Sequence, residues 1–330
     1  MAMTKIHKLQ NKIKHYEWGS AKILPEFLGL VKDGNNDFNE PYAEMWLGTH
    51  PLAPSQVRVN GNSVNLKEIS GELPFLLKLI AVEKPLSIQV HPNKEQARQG
   101  FKRENEMGLE IDSPLRNYKD QNNKSEIICA ITPFTLMAGF KRPKEIYASL
   151  GAVSSGQMDL IKKFNSLYPG DPGIFSPLYL NLITLQPGQG LFIPAGIPHA
   201  YISGFGVELM NNSDNVIRGG LTRKHIDIEE LKKNMPLVPF VPQVITPSTD
   251  ARFCYPLPEE GFSLFYIHGD GSASFNESGP AVFIVTEGEL EMENQFFKKG
   301  ESFYFSSDEA PPFLLKGNFS LFAACITGTE

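Results

Sequence analysis

Four residues of this sequence could hold a metal ion between them: Gln89, His91, Glu126 and His199. Two imidazoles, one carboxylate and one amide oxygen form a mixed nitrogen and oxygen set. Such sets leave a position open for water or substrate, as catalytic zinc sites do. Glutamine is a less usual zinc ligand, so ligand type alone also admits Mn²⁺ or Fe²⁺. No thiolate joins the set: Cys129, Cys254 and Cys325 are scattered among apolar or aromatic neighbours, with no CxxC spacing. They read as buried thiols rather than as a disulfide framework or a closed structural zinc site.

Short strands must position these ligands. In Pro85–Asn93, residues Ser87, Gln89 and His91 are spaced by two and share one strand face, while Leu86, Ile88 and Val90 share the other. An ordinary amphipathic strand with its polar row in water has the same pattern, so the partners decide. Lys124-Ser125-Glu126 leads into an apolar strand, Ile127–Ile131, which sets a carboxylate at its mouth. Further on, Gln186-Pro187-Gly188-Gln189-Gly190 turns into Leu191-Phe192-Ile193, and Pro194-Ala195-Gly196-Ile197-Pro198-His199-Ala200-Tyr201 ends it. Glycines close a tight hairpin there, prolines stiffen the exit, and His199 is held at a fixed place. This combination is similar to the cupin signature.

Other polar residues stand where a pocket would need them. Leu73–Val82 is an apolar run broken once, by Lys78, and a buried lysine requires an anion or a wet cavity beside it. Gly206 to Lys224 mixes polar, charged and apolar residues, which suits a strand and loop lining a wet pocket. Trp18, Trp46 and His50 lie near glycines in the first fifty residues and read as core or pocket wall. A polar loop is expected at Gly34-Asn35-Asn36-Asp37.

The remaining pattern expects a mainly β chain: two cupin-like (jelly-roll) β-barrel domains with a short helical insertion. Residues 1–140 and 176–235 read as the first domain, with a charged helix from Lys94 to Glu110 and a short one near Ile226 to Asn234. Residues 141–175 form the insertion, and the β pattern resumes at Leu178–Leu185. The Pro-rich segment from Pro236 to Pro258 holds the linker. The domain over 236–330 shows short strands near Ser263–Tyr266, Ala281–Val285 and Phe303–Phe305. Hairpin turns are expected at Thr286–Leu290 and Lys299–Ser302. With His268 as its one histidine, it cannot build a His-rich metal site.

A chain of 330 residues, 41% hydrophobic and 21% charged, is an ordinary globular composition of roughly two domains. Its formal net charge of -6 argues against nucleic acid or anionic membrane as partner, so any anionic ligand needs a local cluster of Lys and Arg. No long apolar run suggests a signal peptide or membrane span, and the expected location is the cytoplasm.

Several motifs in one order carry a closer resemblance. Tyr16-x-Trp18-Gly19, Glu44-x-Trp46-x-Gly48-x-His50-Pro51, Gln89-Val90-His91-Pro92-Asn93-Lys94-Glu95-Gln96, Lys124-x-Glu126, Pro198-His199-Ala200-Tyr201 and Asp214-Asn215-Val216-x-Arg218 resemble the type I phosphomannose isomerases over nearly the whole chain. The resemblance implies interconversion of mannose 6-phosphate and fructose 6-phosphate, within carbohydrate metabolism and the supply of GDP-mannose. It implies one Zn²⁺ per chain on Gln89, His91, Glu126 and His199, with Arg218 in the active site. Phosphate contacts by resemblance are Ser87, Lys78 and Lys224, and further pocket residues are Trp18, Lys124, Tyr201, Glu208 and Asp214. The expected partner is a small sugar phosphate, and the expected state a monomer or weak homo-oligomer.

Two departures stand out. Asn123 occupies a position where bacterial relatives often carry His, and the helical insertion is shorter than in longer members. Moving a proton between C1 and C2 through a cis-enediol needs a positioned base, and Lys124, Asp214 and Glu208 are the candidates. Two other readings stay open: a non-catalytic sugar-phosphate sensor, and an isomerase of unphosphorylated mannose. A nucleotidyltransferase activity finds no Gly-rich loop after a strand near the N-terminus.

Overall fold

Phe75–Val82, Glu126–Ala130 and His199–Asn211 are rich in apolar residues and send successive side chains to opposite faces. In the computed structural model these strands lie side by side, antiparallel, with His199–Asn211 in the middle. One row, including Leu77, Leu79, Ile127, Val207 and Leu209, enters an apolar core. The opposite row carries Lys78, Glu126 and Glu208, all buried. Strict alternation across a pleated strand makes both outcomes follow from one register. The structure describes residues 5–30, 40–258, 261–277, 279–307 and 311–327, and the polar 34–37 loop lies outside them.

These strands belong to an eleven-stranded sheet whose outer members include Lys12–Lys14 and Val244–Ile245. The central strand serves two layers. Its start pairs with Phe134–Phe140 and, at His199, with Gln89. From Gly204 onward it pairs with Phe75–Val82. Gly204 has φ of +128, and a Cβ there would stand 2.7 Å from the backbone of Pro133 and Phe134. Only glycine lets the strand cross between layers so tightly.

A second, seven-stranded antiparallel sheet runs Lys5–Lys8, Ser302–Ser306, Ala281–Met292, Phe313–Ile326, Phe262–Phe275 and Arg252–Tyr255, with Gln295–Lys298 paired on Ala281–Met292. Val282, Ile284, Phe322 and Ala324 from this sheet share the core cluster that holds Leu77 and Val207. The chain is therefore mainly β with short helices, as expected for jelly-roll units, although the sheets do not close into full barrels. No described helix is long and apolar enough to cross a membrane.

The 141–175 segment is helical, with helices at Pro143–Gly151 and Ser155–Leu167, the second opened by a capping box between Ser154 and Gln157. Several other expectations need correction. Leu178 and Tyr179 belong to a helical turn, Ser176–Tyr179, because Pro177 presets helical φ at its start; the strand begins only at Leu180. Thr286–Leu290 is no hairpin turn. It lies inside a 12-residue strand, where a register shift after Val285 and Gly288 at φ +64 make a bulge. The strands of this sheet are also longer than expected. Phe262–Phe275 and Phe313–Ile326 each run 14 residues, with Gly271 set against Gly317 in the ladder.

Candidate metal centre and its pocket

Three strand ends bring His91, Glu126 and His199 together. His91 follows the Ile88–Val90 strand, Glu126 opens its strand, and His199 opens the central one. One ligand atom from each lies within 4.8 Å of the others, and all three residues are buried. His91 Nδ1 meets the Asn215 carbonyl at 2.8 Å, and His199 Nδ1 meets the Ile197 carbonyl at 2.9 Å. A carbonyl only accepts, so each Nδ1 carries the proton and each Nε2 presents its lone pair. Burial, and after it the Lys124 ammonium, pushes the His91 pKa down to about 3, which keeps that ring neutral. Burial would raise the Glu126 carboxyl, yet Lys124, His199 and His91 hold it well below the usual carboxylate range.

Among the described residues, Glu126 Oε2 and His199 Nε2 have no hydrogen-bond partner, although the Lys124 ammonium stands 3.2 Å from Glu126 Oε2 and Glu126 Oε1 lies 2.9 Å from His199 Nε2. Two orphaned buried acceptors, beside a third whose proton is fixed on the far nitrogen, fit a cation between them. Gln89 is the cross-strand neighbour of both His199 and Arg218 and faces the cavity. Three of the four residues singled out by sequence thus meet in one cluster, and Gln89 pairs beside His199 in the ladder.

The ligand-bearing loops are themselves clamped. Asn215, whose carbonyl fixes His91, donates from its side chain to the Asp120 and Asn122 carbonyls and accepts from the Lys119 and Asp120 amides. Asp120 also takes Ser213 Oγ and the Asp214 amide. Sequence reasoning missed this clamp: Asp120 looked like one polar residue in a polar loop, and its partners are about 95 residues away.

The cavity in front of the cluster measures about 860 Å³. Trp18, Ser87 and Lys124 line it, as do Asp214, Arg218 and Lys224. Among the described residues no carboxylate comes within ion-pair distance of Arg218, and burial lowers its pKa. Lys224 sits at the rim, its pKa lowered by burial and then by Arg218 and Lys119. The Asp214 side chain is 25% exposed, and His50 Nε2 stands 3.3 Å from its Oδ2.

Lys78, Glu208 and Tyr201 border the same cavity but face one another. Lys78 Nζ donates to Glu208 Oε2 at 2.9 Å, and the ammonium lies 5.3 Å from the Trp46 ring centre. Trp46 Nε1 donates to Glu44, whose pKa burial raises. The Tyr201 hydroxyl lies 2.9 Å from Glu208 Oε1 and 3.0 Å from Glu126 Oε1. Burial, then the two carboxylates, pushes the Tyr201 phenol well up, so it keeps its proton. Asn123 donates to Asn211 Oδ1, tying the loop to the central strand.

Known proteins resemble this arrangement. A family model described as phosphomannose isomerase type I, catalytic domain, matches residues 6–143. The mannose-6-phosphate isomerase of Escherichia coli (strain K12) is 33% identical over 380 residues, covering 93% of this chain and 96% of that one. Mannose-6-phosphate isomerase 2 of Arabidopsis thaliana is 29% identical, covering 86% and 84%. Among solved structures, mannose 6-phosphate isomerase from Salmonella typhimurium bound to substrate (f6p) and zinc is similar at a TM-score of 0.85, with 31% identity over 98% of this chain and 100% of that one.

Proposed function

The chain belongs to the type I phosphomannose isomerase family, and we propose that it is a zinc-dependent aldose-ketose isomerase interconverting mannose 6-phosphate and fructose 6-phosphate. One observation carries this reading. His91, Glu126 and His199 converge in a buried cluster beside a cavity lined by Gln89, Lys124 and an Arg218 that has no carboxylate among the described residues within ion-pair distance. We assign the metal to those three residues and Gln89. Zinc held there would supply Lewis-acid charge and a template for the sugar oxygens.

The protein's own groups do the rest. Arg218, with no carboxylate among the described residues to neutralise it, stabilises negative charge developing on the C1 and C2 oxygens. Of the three candidate bases, Glu208 is enclosed by Lys78 and Tyr201, and the Lys124 ammonium is ion-paired with Glu126 Oε2 at 3.2 Å. Asp214 keeps part of its carboxylate open to the cavity, with His50 behind it. We therefore assign Asp214 the proton transfer between C1 and C2 through a cis-enediol. Ser87 and Lys224 line the cavity and hold the phosphate in this reading, with Trp18 as wall; the Lys78 ammonium is committed to Glu208. Phosphate anchoring supplies remote binding energy for the reacting end.

In this proposal 1–140 and 176–235 form the catalytic unit, 141–175 its insertion, and 236–330 a unit without metal ligands. Two strands trade places across that division: Lys5–Lys8 joins the second sheet and Val244–Ile245 the first. We take the enzyme to be cytoplasmic and a monomer or weak homo-oligomer, in keeping with thiols buried at Cys129 and Cys325. The test is isomerisation of mannose 6-phosphate beside free mannose, before and after chelation, with zinc restored. Turnover of the phosphorylated sugar alone, lost on chelation and regained with zinc, is the expected result. Equal efficiency on free mannose would make it a sugar isomerase, and tight ligand binding without turnover would make it a sensor.

A further inference from the structure

A row of four side chains leads from the floor of the first sheet to the metal cluster. Lys78 and Glu208 are direct cross-strand partners, so the register that pairs Phe75–Val82 with His199–Asn211 also pairs their charges. Glu208 turns its other oxygen to Tyr201, and Tyr201 turns its hydroxyl to Glu126. None of the four residues is more than 6% exposed.

One hydroxyl carries one proton, yet the Tyr201 oxygen stands between two carboxylates. Each carboxylate has an ammonium on its far oxygen, Lys78 on Glu208 and Lys124 on Glu126, but only Glu126 Oε1 also faces the Nε2 lone pair of His199. The Tyr201 hydroxyl, which keeps its proton, is therefore best placed donating to Glu126 Oε1. Phe134 packs edge-on against the Tyr201 ring at 5.2 Å, which limits its rotation. Buried ion pairs seldom add stability over apolar residues of the same volume, so a role in orientation explains this one better than a role in folding.

We propose that Lys78, Glu208 and Tyr201 are positioning residues: they hold the Glu126 carboxylate in the orientation that completes the metal site, and they neither bind substrate nor carry its proton. This rests on the metal reading above. It moves Lys78 and Tyr201 out of the substrate-contacting group and Glu208 out of the proton-transferring one. Outer-shell partners of this kind change metal affinity rather than substrate affinity when removed.

The test compares zinc affinity, by competition with a chromophoric chelator, in the wild-type protein, Tyr201→Phe and Glu208→Gln. Tyr201→Phe keeps the ring and removes only the proton. Zinc affinity is expected to fall about 10–100-fold, with KM for mannose 6-phosphate at saturating zinc unchanged. Glu208→Gln keeps the shape and an acceptor for Tyr201, should weaken zinc less, and carries the test alone if Tyr201→Phe does not fold. A raised KM with wild-type zinc affinity would return these residues to substrate binding. A kcat collapse in zinc-loaded Glu208→Gln would make Glu208 the proton carrier. Wild-type protein that takes no zinc would overturn the metal reading itself, and the same titration separates that result from the others.

Discussion

The two sheets share one architecture and fill their interiors in opposite ways. Behind the shared core, the first sheet points Lys78, Glu126, Tyr201 and Glu208 inward, with the cavity of about 860 Å³ in front of them. The second sheet puts Phe265, Phe275, Phe283, Phe303, Phe305 and Phe313 in its interior. Phe283 and Phe303 stack at 4.5 Å, and Phe297 covers Phe303 at 4.0 Å. Aromatic rings bury large apolar area without any polar group to satisfy. The lesson is a division of labour: one interior is closed by packing, and the other is held open by a satisfied polar network, which is costly wherever a partner is missing.

Glu126→Gln should separate the halves most sharply. Removing the central carboxylate should lower kcat/KM by about 10²–10³-fold or more. Phe283→Ala should do the reverse, costing about 3–5 kcal/mol of stability with kcat of the folded protein intact; a matching loss of kcat would break the comparison. Lys78→Met should also cost about 3–5 kcal/mol, because it leaves Glu208 buried and unpaired. Lys78→Met with Glu208→Leu should recover most of that in a melt and still bind zinc weakly. Stability that did not return would show that the pair does more than orient Glu126.

The smallest effect is on pH. Lys224 has a lowered pKa, so it loses its charge at a lower pH than an ordinary lysine as pH rises. Phosphate binding keeps this cation below that pKa and loses it above. KM should therefore rise several-fold on the alkaline side, and Lys224→Arg should flatten the rise. A KM that stays flat in the wild-type protein would remove Lys224 from the phosphate site.

Much of the site was legible because its chemistry sits on short local patterns. Gln89 and His91 share a strand face, and His199 ends a proline-stiffened turn, so spacing made them candidates that their partners then decided. What local pattern cannot show is who stands opposite. Lys78 read as a lysine in need of an anion, but its partner Glu208 is 130 residues away and is supplied only by register. The Phe313–Ile326 strand escaped notice because Gly317 and Asn318 look like a turn, whereas they pair with Gly271 and Asp270 in the ladder. The clamp of Asp120 on Asn215 was hidden for the same reason.

The strand Lys5–Lys8 has a consequence for how the protein is made. It is the first described strand to leave the ribosome, and it pairs with Ser302–Ser306, Lys8 lying opposite Phe303. At about 5–20 residues per second, its partner follows roughly 15–60 s later. Throughout that interval the edge it will occupy does not exist, and Leu9 beside it waits for the Ser302 carbonyl. An exposed strand of this kind is a template for wrong pairing. The alternating Lys5 and His7, Ile6 and Lys8 of this segment offer only one apolar side chain in four. A nascent chain with so little to aggregate can afford to wait.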